Sequence, residues 1–254
     1  MKACVQIRGL TVGEGLPKII VPVLAETMEE LLLQAAALKN EPADAVEWRA
    51  DKFGAVLDEA AAVRALKALR ETIGDMPLLF TLRTKSEGGS FDAPREEYLR
   101  LNILAAASGL ADIIDVEFGA GDAAKVRHIR ELQARGVRVA ASSHDFHRTP
   151  PKEEIVARLC AMQRAGADLV KIAVMPGNER DVLTLLLAAE EFTRAYKDRP
   201  LIAVSMGALG AVSRVCGNLS GSDMTFGAAG ALSAPGQLPA KTLRDMLDSL
   251  NWAR

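Results

Sequence analysis

The stretch GADLVKIAVMP at residues 166–176 predicts a buried β-strand with a lysine in its middle. A run of branched apolar residues follows a Gly-Ala-Asp start, and Pro176 ends it. Because side chains alternate along a strand, Lys171 shares one face with Leu169 and Ala173, and the other face is wholly apolar. Lysine is rarely fully buried without a reason. The strand therefore points an ammonium group into whatever that face encloses.

The same pattern, a short β-rich run and then an amphipathic helix, recurs along the chain. Eight candidate strands lie at 18–24, 43–50, 76–84, 110–118, 136–144, 167–175, 200–207 and 223–229. Helical patterns lie between them at 26–38, 57–71, 95–107, 123–134, 152–165 and 180–196. Eight such units in 254 residues match an α/β fold of the (β/α)8 TIM barrel type, whereas a doubly wound sheet usually has fewer. We predict one barrel domain over residues 1–254, with no sequence-level repeat, and a hairpin within residues 3–13 that closes the N-terminal end of the barrel.

Composition excludes several classes of function. The net charge of -2 and the pI near 6.0 give no basic field for nucleic acid. The cysteines, Cys4, Cys160 and Cys216, are odd in number and far apart, which argues against a disulfide framework and a zinc site. No apolar run is long enough to span a membrane, and the first ten residues lack the apolar core of a signal peptide. A cytoplasmic protein is expected.

Charged and polar residues cluster at the predicted strand ends, where (β/α)8 barrels carry their chemistry. These residues are Glu47, Arg49, Arg83, Glu87, Asp115, Glu117, His144, Lys171 and Arg214. If all of their side chains point inward, they share one cavity.

Each of these residues also has a simpler interpretation. Glu47 and Arg49 could form an ion pair at the barrel mouth, and Asp115 and Glu117 are expected to support the interior by pairing with basic neighbours. Arg214 by itself would usually be a solvated charge. Two further histidines are expected outside any site, His128 on a helix surface and His147 in a loop facing solvent.

Lys171 is harder to explain as structural. Apolar walls and neighbouring cations would favour its neutral amine, which attacks carbonyl carbons to form a Schiff base. His144, one strand away, could move protons near neutral pH, with Glu87 fixing its tautomer.

Seven motifs carry a resemblance to a known family and occur in family order. They are GEGLPKIIVPV at 13–23, EWRAD at 47–51, TLRTKSEGG at 81–89, SSHDFHRTP at 142–150, VKIAVMP at 170–176, SMGALGAVSR at 205–214 and SAPGQLP at 233–239. Together they span almost the whole chain, and the sequence resembles type I 3-dehydroquinate dehydratases, Schiff-base lyases of the shikimate pathway of aromatic amino acid biosynthesis.

The resemblance implies a mechanism without metal or cofactor. Lys171 would form an imine with the ketone of 3-dehydroquinate, His144 would serve as general acid and base, and Glu87 would orient His144. Syn elimination of water would give 3-dehydroshikimate. The resemblance also implies a homodimer with a small-molecule substrate and no nucleic-acid or membrane partner.

The resemblance further assigns the substrate contacts. Arg214 would bind the carboxylate, since a planar guanidinium suits it. Glu47, Arg49 and Arg83 would hold the ring hydroxyls, and a loop with Ser233 and Gln237 would close over the site. The sequence departs from the family at Ser143, where a bulkier residue is common, and around Asn218 and Leu219; these departures touch pocket shape and loop packing.

Two other functions share part of this evidence. A Schiff-base aldolase or transaldolase acting on a phosphorylated sugar would use the same lysine, with the segment SGSDMTFGAAG at 220–230 as phosphate cradle. A non-catalytic barrel that binds a small carboxylate would use Lys171 only as a charge partner. Release of an ultraviolet-absorbing enone from 3-dehydroquinate would distinguish a dehydratase from the aldolase or transaldolase. Borohydride trapping would distinguish it from the carboxylate-binding barrel, which gives no covalent adduct.

Overall fold

The computed structural model describes residues 4–119, 123–196, 198–230 and 232–251. Its strands are β1 Val5–Ile7, β2 Leu10–Val12, β3 Lys18–Val23, β4 Ala45–Arg49, β5 Leu78–Thr81, β6 Ile113–Glu117, β7 Arg138–Asp145, β8 Leu169–Val174, β9 Leu201–Ser205, β10 Met224–Ala228 and β11 Leu238–Pro239. Its helices are α1 Met28–Ala37, α2 Glu59–Ile73, α3 Arg95–Ala107, α4 Ala123–Gln133, α5 Lys152–Arg164, α6 Glu179–Ala195, α7 Gly217–Ser220 and α8 Ala240–Ser249. Short 3-10 helices lie at Leu38–Asn40, Ala50–Lys52, Lys85–Glu87 and Leu209–Arg214.

Strands β3 to β10 are the eight predicted strands, and they form one parallel sheet that curls into a barrel. The ladder runs in chain order from β3 to β9, and β10 pairs with the other side of β3. The circle closes where Leu201, at the start of β9, bridges Ser222 and accepts a 2.7 Å hydrogen bond from the Asp223 amide. The predicted (β/α)8 fold is therefore confirmed. The two-residue strand β11, parallel to β10, was not predicted.

An aspartate precedes every second strand and joins it to the strand before. These residues are Asp44, Asp112, Asp168 and Asp223, ahead of β4, β6, β8 and β10. Each donates its amide to the carbonyl of one residue on the preceding strand and accepts that residue's amide on Oδ2, at 2.7–2.9 Å. Two bonds between the same residues fix the register of each strand pair. The same aspartate device therefore repeats four times around the barrel.

This repeat builds the barrel interior in layers. Residues one position beyond the aspartates all lie in the inner apolar cluster and form a floor: Ala45, Ile113, Leu169 and Met224. Because side chains alternate, residues three positions beyond point inward one layer higher: Glu47, Asp115, Lys171 and Phe226. The opposite faces of the strands pack against the surrounding helices, as Val170 and Ile172 do.

The N-terminal hairpin closes the bottom of the barrel, as predicted. Strands β1 and β2 pair antiparallel, and Ile7 and Val12 are buried with the inner apolar cluster. Arg8, at the turn, makes a 2.7 Å ion pair with Asp112. Among the described helices, none is long and apolar enough to cross a membrane.

Candidate active site

Lys171 lies in the charged layer of the barrel, surrounded by its three layer mates. Its Nζ is 3.3 Å from Asp115 Oδ2, 3.6 Å from Glu47 Oε1 and 4.5 Å from the centroid of the Phe226 ring. The residue is 5% exposed, and the end of its side chain opens onto a cavity at the C-terminal ends of the strands. Carboxylates are therefore the groups in direct contact with the amine, where cations were expected.

Arg83 is the cationic centre of a buried network beside the lysine. Its guanidinium lies 2.8 Å from Asp115, 3.0 Å from Glu117 and 3.4 Å from Glu87. Burial opposes the charge of Arg83, but these three carboxylates outweigh burial and raise its pKa. Burial likewise works against the ionised form of Asp115, yet Arg83 and Lys171 lower its pKa. The expectation that Asp115 and Glu117 pair with basic neighbours is confirmed.

His144 and Glu87 form a hydrogen-bonded pair at the cavity wall. His144 Nδ1 is 2.8 Å from Glu87 Oε2, which also accepts the His144 backbone amide at 3.1 Å. Burial lowers the pKa of His144 well below its usual range, and the charges of Arg83 and Lys171 lower it further. Burial raises the pKa of Glu87 to about 8, against the opposing charge of Arg83.

The pKa shifts of His144 and Glu87 are coupled through the proton that lies between the two groups. A proton in the bond between Glu87 and Nδ1 can lie on either atom without a change in the net charge of the pair, so the two groups titrate together. Because Nδ1 is held by Glu87, the second ring nitrogen, Nε2, is left for the cavity. The pair can therefore donate a proton to a bound molecule and take one back.

Arg214 is a buried cation without a carboxylate partner among the described residues. It is 1% exposed, Nη2 donates to the Pro235 carbonyl at 3.0 Å and Nη1 to the Phe226 carbonyl at 3.4 Å, while Nε has no partner. Burial lowers the pKa of Arg214 to about 10. The interpretation of Arg214 as a solvated charge is wrong, and its guanidinium is available to an anion in the cavity.

The loop with Ser233 and Gln237 lies closed over the cavity. Gln237 accepts the Ser233 amide at 2.7 Å and donates to the Ser233 hydroxyl at 2.8 Å. Pro235 accepts the Gly207 amide at 3.1 Å, and Gly236 has φ +76° and packs so closely on Gly207 that a Cβ would fall 2.0 Å from its carbonyl oxygen. The two polar side chains therefore hold each other.

Arg49 makes an ion pair that the sequence did not indicate. Its partner is Asp51, whose carboxylate accepts hydrogen bonds from Arg49 Nε at 2.8 Å and from Nη2 at 2.9 Å. The interpretation of Glu47 and Arg49 as an ion pair is therefore wrong, because Glu47 turns to Lys171 and to the Thr81 hydroxyl at 3.0 Å. Arg49 also reaches the Ser233 carbonyl at 3.4 Å, which links β4 to the closed loop.

All nine predicted site residues line this one cavity: Glu47, Arg49, Arg83, Glu87, His144, Lys171, Arg214, Ser233 and Gln237. Sequence reasoning missed its apolar wall, formed by Phe146, Ala173, Val204, Met206 and Phe226. Two of these residues had a readable signal. Ala173 shares the strand face of Lys171, and Phe226 lies three residues beyond Asp223, as Lys171 does beyond Asp168.

The other histidines and the family departures lie outside the cavity lining. His147 is exposed in its loop, as predicted, but His128 is buried on α4, so its placement on a helix surface was wrong. Burial lowers the pKa of His128. Ser143 faces α5 and accepts a 3.3 Å bond from Arg158.

The region of Asn218 and Leu219 also lies away from the cavity, since the Asn218 side chain donates to the Leu250 carbonyl and Leu219 is exposed. The proposed phosphate cradle starts there, and its Ser222 closes the N-terminal end of the barrel by bonding the Ala203 amide. This half of the cradle is therefore at the wrong end for a phosphate in the cavity.

The fold and the site together define a (β/α)8 barrel enzyme with a lysine and a histidine at the strand ends. A family model described as Type I 3-dehydroquinase matches residues 19–252. A 3-dehydroquinate dehydratase of Clostridioides difficile (strain 630) is 46% identical over 251 residues, which cover 99% of this chain and 98% of the relative. The chain therefore belongs to the type I 3-dehydroquinase family, a family of hydro-lyases.

Solved structures agree with this assignment. A crystal structure of type I 3-dehydroquinate dehydratase from Clostridium difficile with covalently modified comenic acid has a TM-score of 0.95 at 46% identity and covers 98% of each chain. The 3-dehydroquinate dehydratase of Geobacillus kaustophilus HTA426 has a TM-score of 0.95 at 36% identity, again over 98% of each chain.

Proposed function

We propose that this protein removes water from 3-dehydroquinate to give 3-dehydroshikimate through an imine on Lys171. The observation that carries the proposal is that the Lys171 amine and the His144–Glu87 pair open onto the same cavity. An amine that can form an imine and a group that can move protons are the two parts that such an elimination needs. The family assignment supports the same substrate.

Three groups of residues would position the substrate. The unpaired guanidinium of Arg214 would take the carboxylate, because a buried cation without an anion gains most from binding one. Glu47, Arg49 and Arg83 would hold the ring hydroxyls. Ser233 and Gln237, on the loop that lies over the cavity, would exclude water and complete the polar contacts.

The chemical steps then follow with atoms and charges in balance. The nitrogen of Lys171 attacks the ketone carbon, and the ketone oxygen leaves as water. The two protons of that water come from the lysine ammonium, relayed by His144, so an ammonium and a ketone give a protonated imine and one water. His144 removes the C2 proton, and the electrons of that C–H bond enter the imine nitrogen, which acts as the electron sink. The C1 hydroxyl then leaves from the same face with a proton from His144, and water hydrolyses the imine. This scheme uses no metal or cofactor.

The sequence pattern and composition support three further parts of this proposal: a single domain over residues 1–254, a cytoplasmic location and no nucleic-acid partner. The homodimer and the step in the shikimate pathway are proposed on the family resemblance alone. The family assignment also favours dehydration over a sugar-phosphate aldolase reaction or carboxylate binding without catalysis.

Borohydride trapping tests the chemistry directly. The protein is incubated with 3-dehydroquinate, reduced, digested and mapped by mass, while turnover is followed by the ultraviolet absorbance of the enone. We expect the adduct on the peptide with Lys171, and neither adduct nor turnover in Lys171→Ala. An adduct on Lys18, Lys85 or Lys241 instead, or none at all, would overturn the proposal.

His144→Ala separates imine formation from elimination. We expect it to retain some trapped adduct and to lose turnover by about 100-fold or more, the usual scale for a general acid–base group. His147→Ala is the matched control, because that side chain is exposed two residues after β7, and its turnover should stay near that of the wild type. The reverse pattern in the two variants would show that the histidines are wrongly assigned.

A further inference from the structure

Asp115 touches the reactive lysine from behind the cavity. Its carboxylate is 1% exposed and is not part of the cavity lining, in contrast to Glu47, the other carboxylate beside Lys171. Oδ2 lies 3.3 Å from the lysine Nζ. Oδ1 accepts a 2.6 Å hydrogen bond from the Ser142 hydroxyl and lies 2.8 Å from Arg83. One oxygen is thus directed to the lysine, and the other is fixed by its neighbours.

This arrangement ties the two chemical groups of the site together. Contacts run without a gap from Lys171 to Asp115 and Arg83, and then through Glu87 to His144, with every step at 3.4 Å or less. The position of the amine relative to the imidazole is therefore set through a buried carboxylate that a substrate in the cavity does not touch.

We propose that Asp115 is a positioning residue for imine chemistry, holding the lysine nitrogen at the cavity floor and balancing its charge from ammonium to protonated imine. The inference rests on the proposed Schiff-base function and adds a residue to it.

The charge balance of imine formation explains why a fixed carboxylate suits this position. An ammonium and a ketone give a protonated imine and one water, so the nitrogen carries one positive charge before and after. An anion that keeps its place and its charge stabilises both states. Asp115 fits this requirement because Arg83 and Ser142 hold it in the ionised form. Glu47, whose contact with Nζ is longer at 3.6 Å, borders the cavity and is free to meet the substrate.

Asp115→Asn tests this role through the pH profile of trapping. The rate of borohydride-trapped adduct formation is measured at saturating 3-dehydroquinate over a range of pH, together with kcat and KM. Without the carboxylate the ammonium is less favoured, so the pH of half-maximal trapping should fall by about one unit or more. The plateau rate and kcat should fall about tenfold or more, since the imine loses its counter-ion. KM should change less than about threefold, because the substrate-binding groups remain.

Glu117→Gln is the matched control. Glu117 is also buried and also binds Arg83, but it then reaches Thr84 and does not contact Lys171. We expect this variant to keep the wild-type pH of half-maximal trapping. If Asp115→Asn does not fold, Ser142→Ala removes the hydroxyl that fixes Oδ1 and should lower the plateau rate several-fold with little change in KM.

The possible outcomes separate the two proposals. An unchanged midpoint and plateau in folded Asp115→Asn, an unchanged plateau in Ser142→Ala, or the same midpoint shift in Glu117→Gln would overturn the role of Asp115 alone. Absence of any adduct in the wild type would instead overturn the Schiff-base function.

Discussion

Replacement of Arg214 by methionine should separate binding from stability. Arg214 is 1% exposed and its guanidinium has two carbonyl acceptors, with no carboxylate partner among the described residues. Arg214→Met removes the charge and keeps an apolar side chain of similar length. We therefore expect ligand-free Arg214→Met to be nearly as stable as the wild type, and to bind 3-dehydroquinate much more weakly.

The magnitude follows from two opposing terms. The pKa of about 10 for Arg214 corresponds to on the order of 3 kcal/mol acting against the buried charge, which the substitution relieves. The bonds to the Pro235 and Phe226 carbonyls are lost, at roughly 1.5–3 kcal/mol for each hydrogen bond to a charged group in good geometry and less for the long contact to Phe226. The terms nearly cancel, so the free energy of unfolding should change by less than about 2 kcal/mol. Loss of a buried charge partner for the carboxylate should weaken binding by about 2–5 kcal/mol, or roughly 30-fold or more.

The free energy of unfolding is measured by urea denaturation without ligand. The weakening of substrate binding is followed through KM, measured from the enone absorbance. Arg83→Met is the matched control, because Arg83 is equally buried but lies within 3.4 Å of three carboxylates. Leaving those charges uncompensated should destabilise the protein by about 3–5 kcal/mol. If Arg214→Met lost as much stability as Arg83→Met and kept the wild-type KM, Arg214 would be a structural residue and the reasoning would be refuted.

Two further predictions concern Glu87 and the loop. Because the pKa of Glu87 is raised to about 8, the folded protein holds a proton that the unfolded chain releases earlier, so the stability of the wild type relative to Glu87→Gln should fall as pH rises from about 5 to 8. Urea unfolding across that range checks this, and a rise or a flat difference would contradict the shift. Gln237→Ala removes both bonds to Ser233 and should raise KM and lower kcat with little change in unfolding free energy. Limited proteolysis should cut the loop at residues 232–237 faster in this variant, and more slowly in the wild type once substrate is added; equal cleavage in all states would indicate a rigid structural loop.

The barrel was predictable because its signals are local. Each strand is a buried apolar run between breakers, and helix α3 was predicted with the observed boundaries, Arg95–Ala107. Strand β11 gave no such signal, since two residues that follow Gly-Gln show no alternation. His128 was misplaced because its burial depends on how α4 packs against its neighbours, and the helical pattern around it is rich in charge.

Which side chains bond each other within the site was harder to predict than which residues belong to it. Glu47 and Asp51 are both two residues from Arg49, and sequence spacing does not say which carboxylate the guanidinium meets. The strand directs Glu47 into the barrel, where Lys171 competes for it, while Asp51 lies in the 3-10 turn after β4 and turns back to Arg49. The bonds between Ser233 and Gln237 were missed for a similar reason, because the two residues meet only after the turn at Gly236 brings them together.

The charged layer shows how more of the site could have been found from the sequence. A buried strand preceded by aspartate occurs four times, and that aspartate fixes the register by bonding both backbone groups of one residue on the strand before. Once the register is fixed, the third residue after each aspartate must enter the same interior layer, since alternation and strand spacing leave it no other place. Lys171, Asp115 and Glu47 are therefore neighbours for a backbone reason. A buried lysine in such a layer receives its counter-ions from alternate strands, and the rule identifies those counter-ions without any knowledge of the reaction.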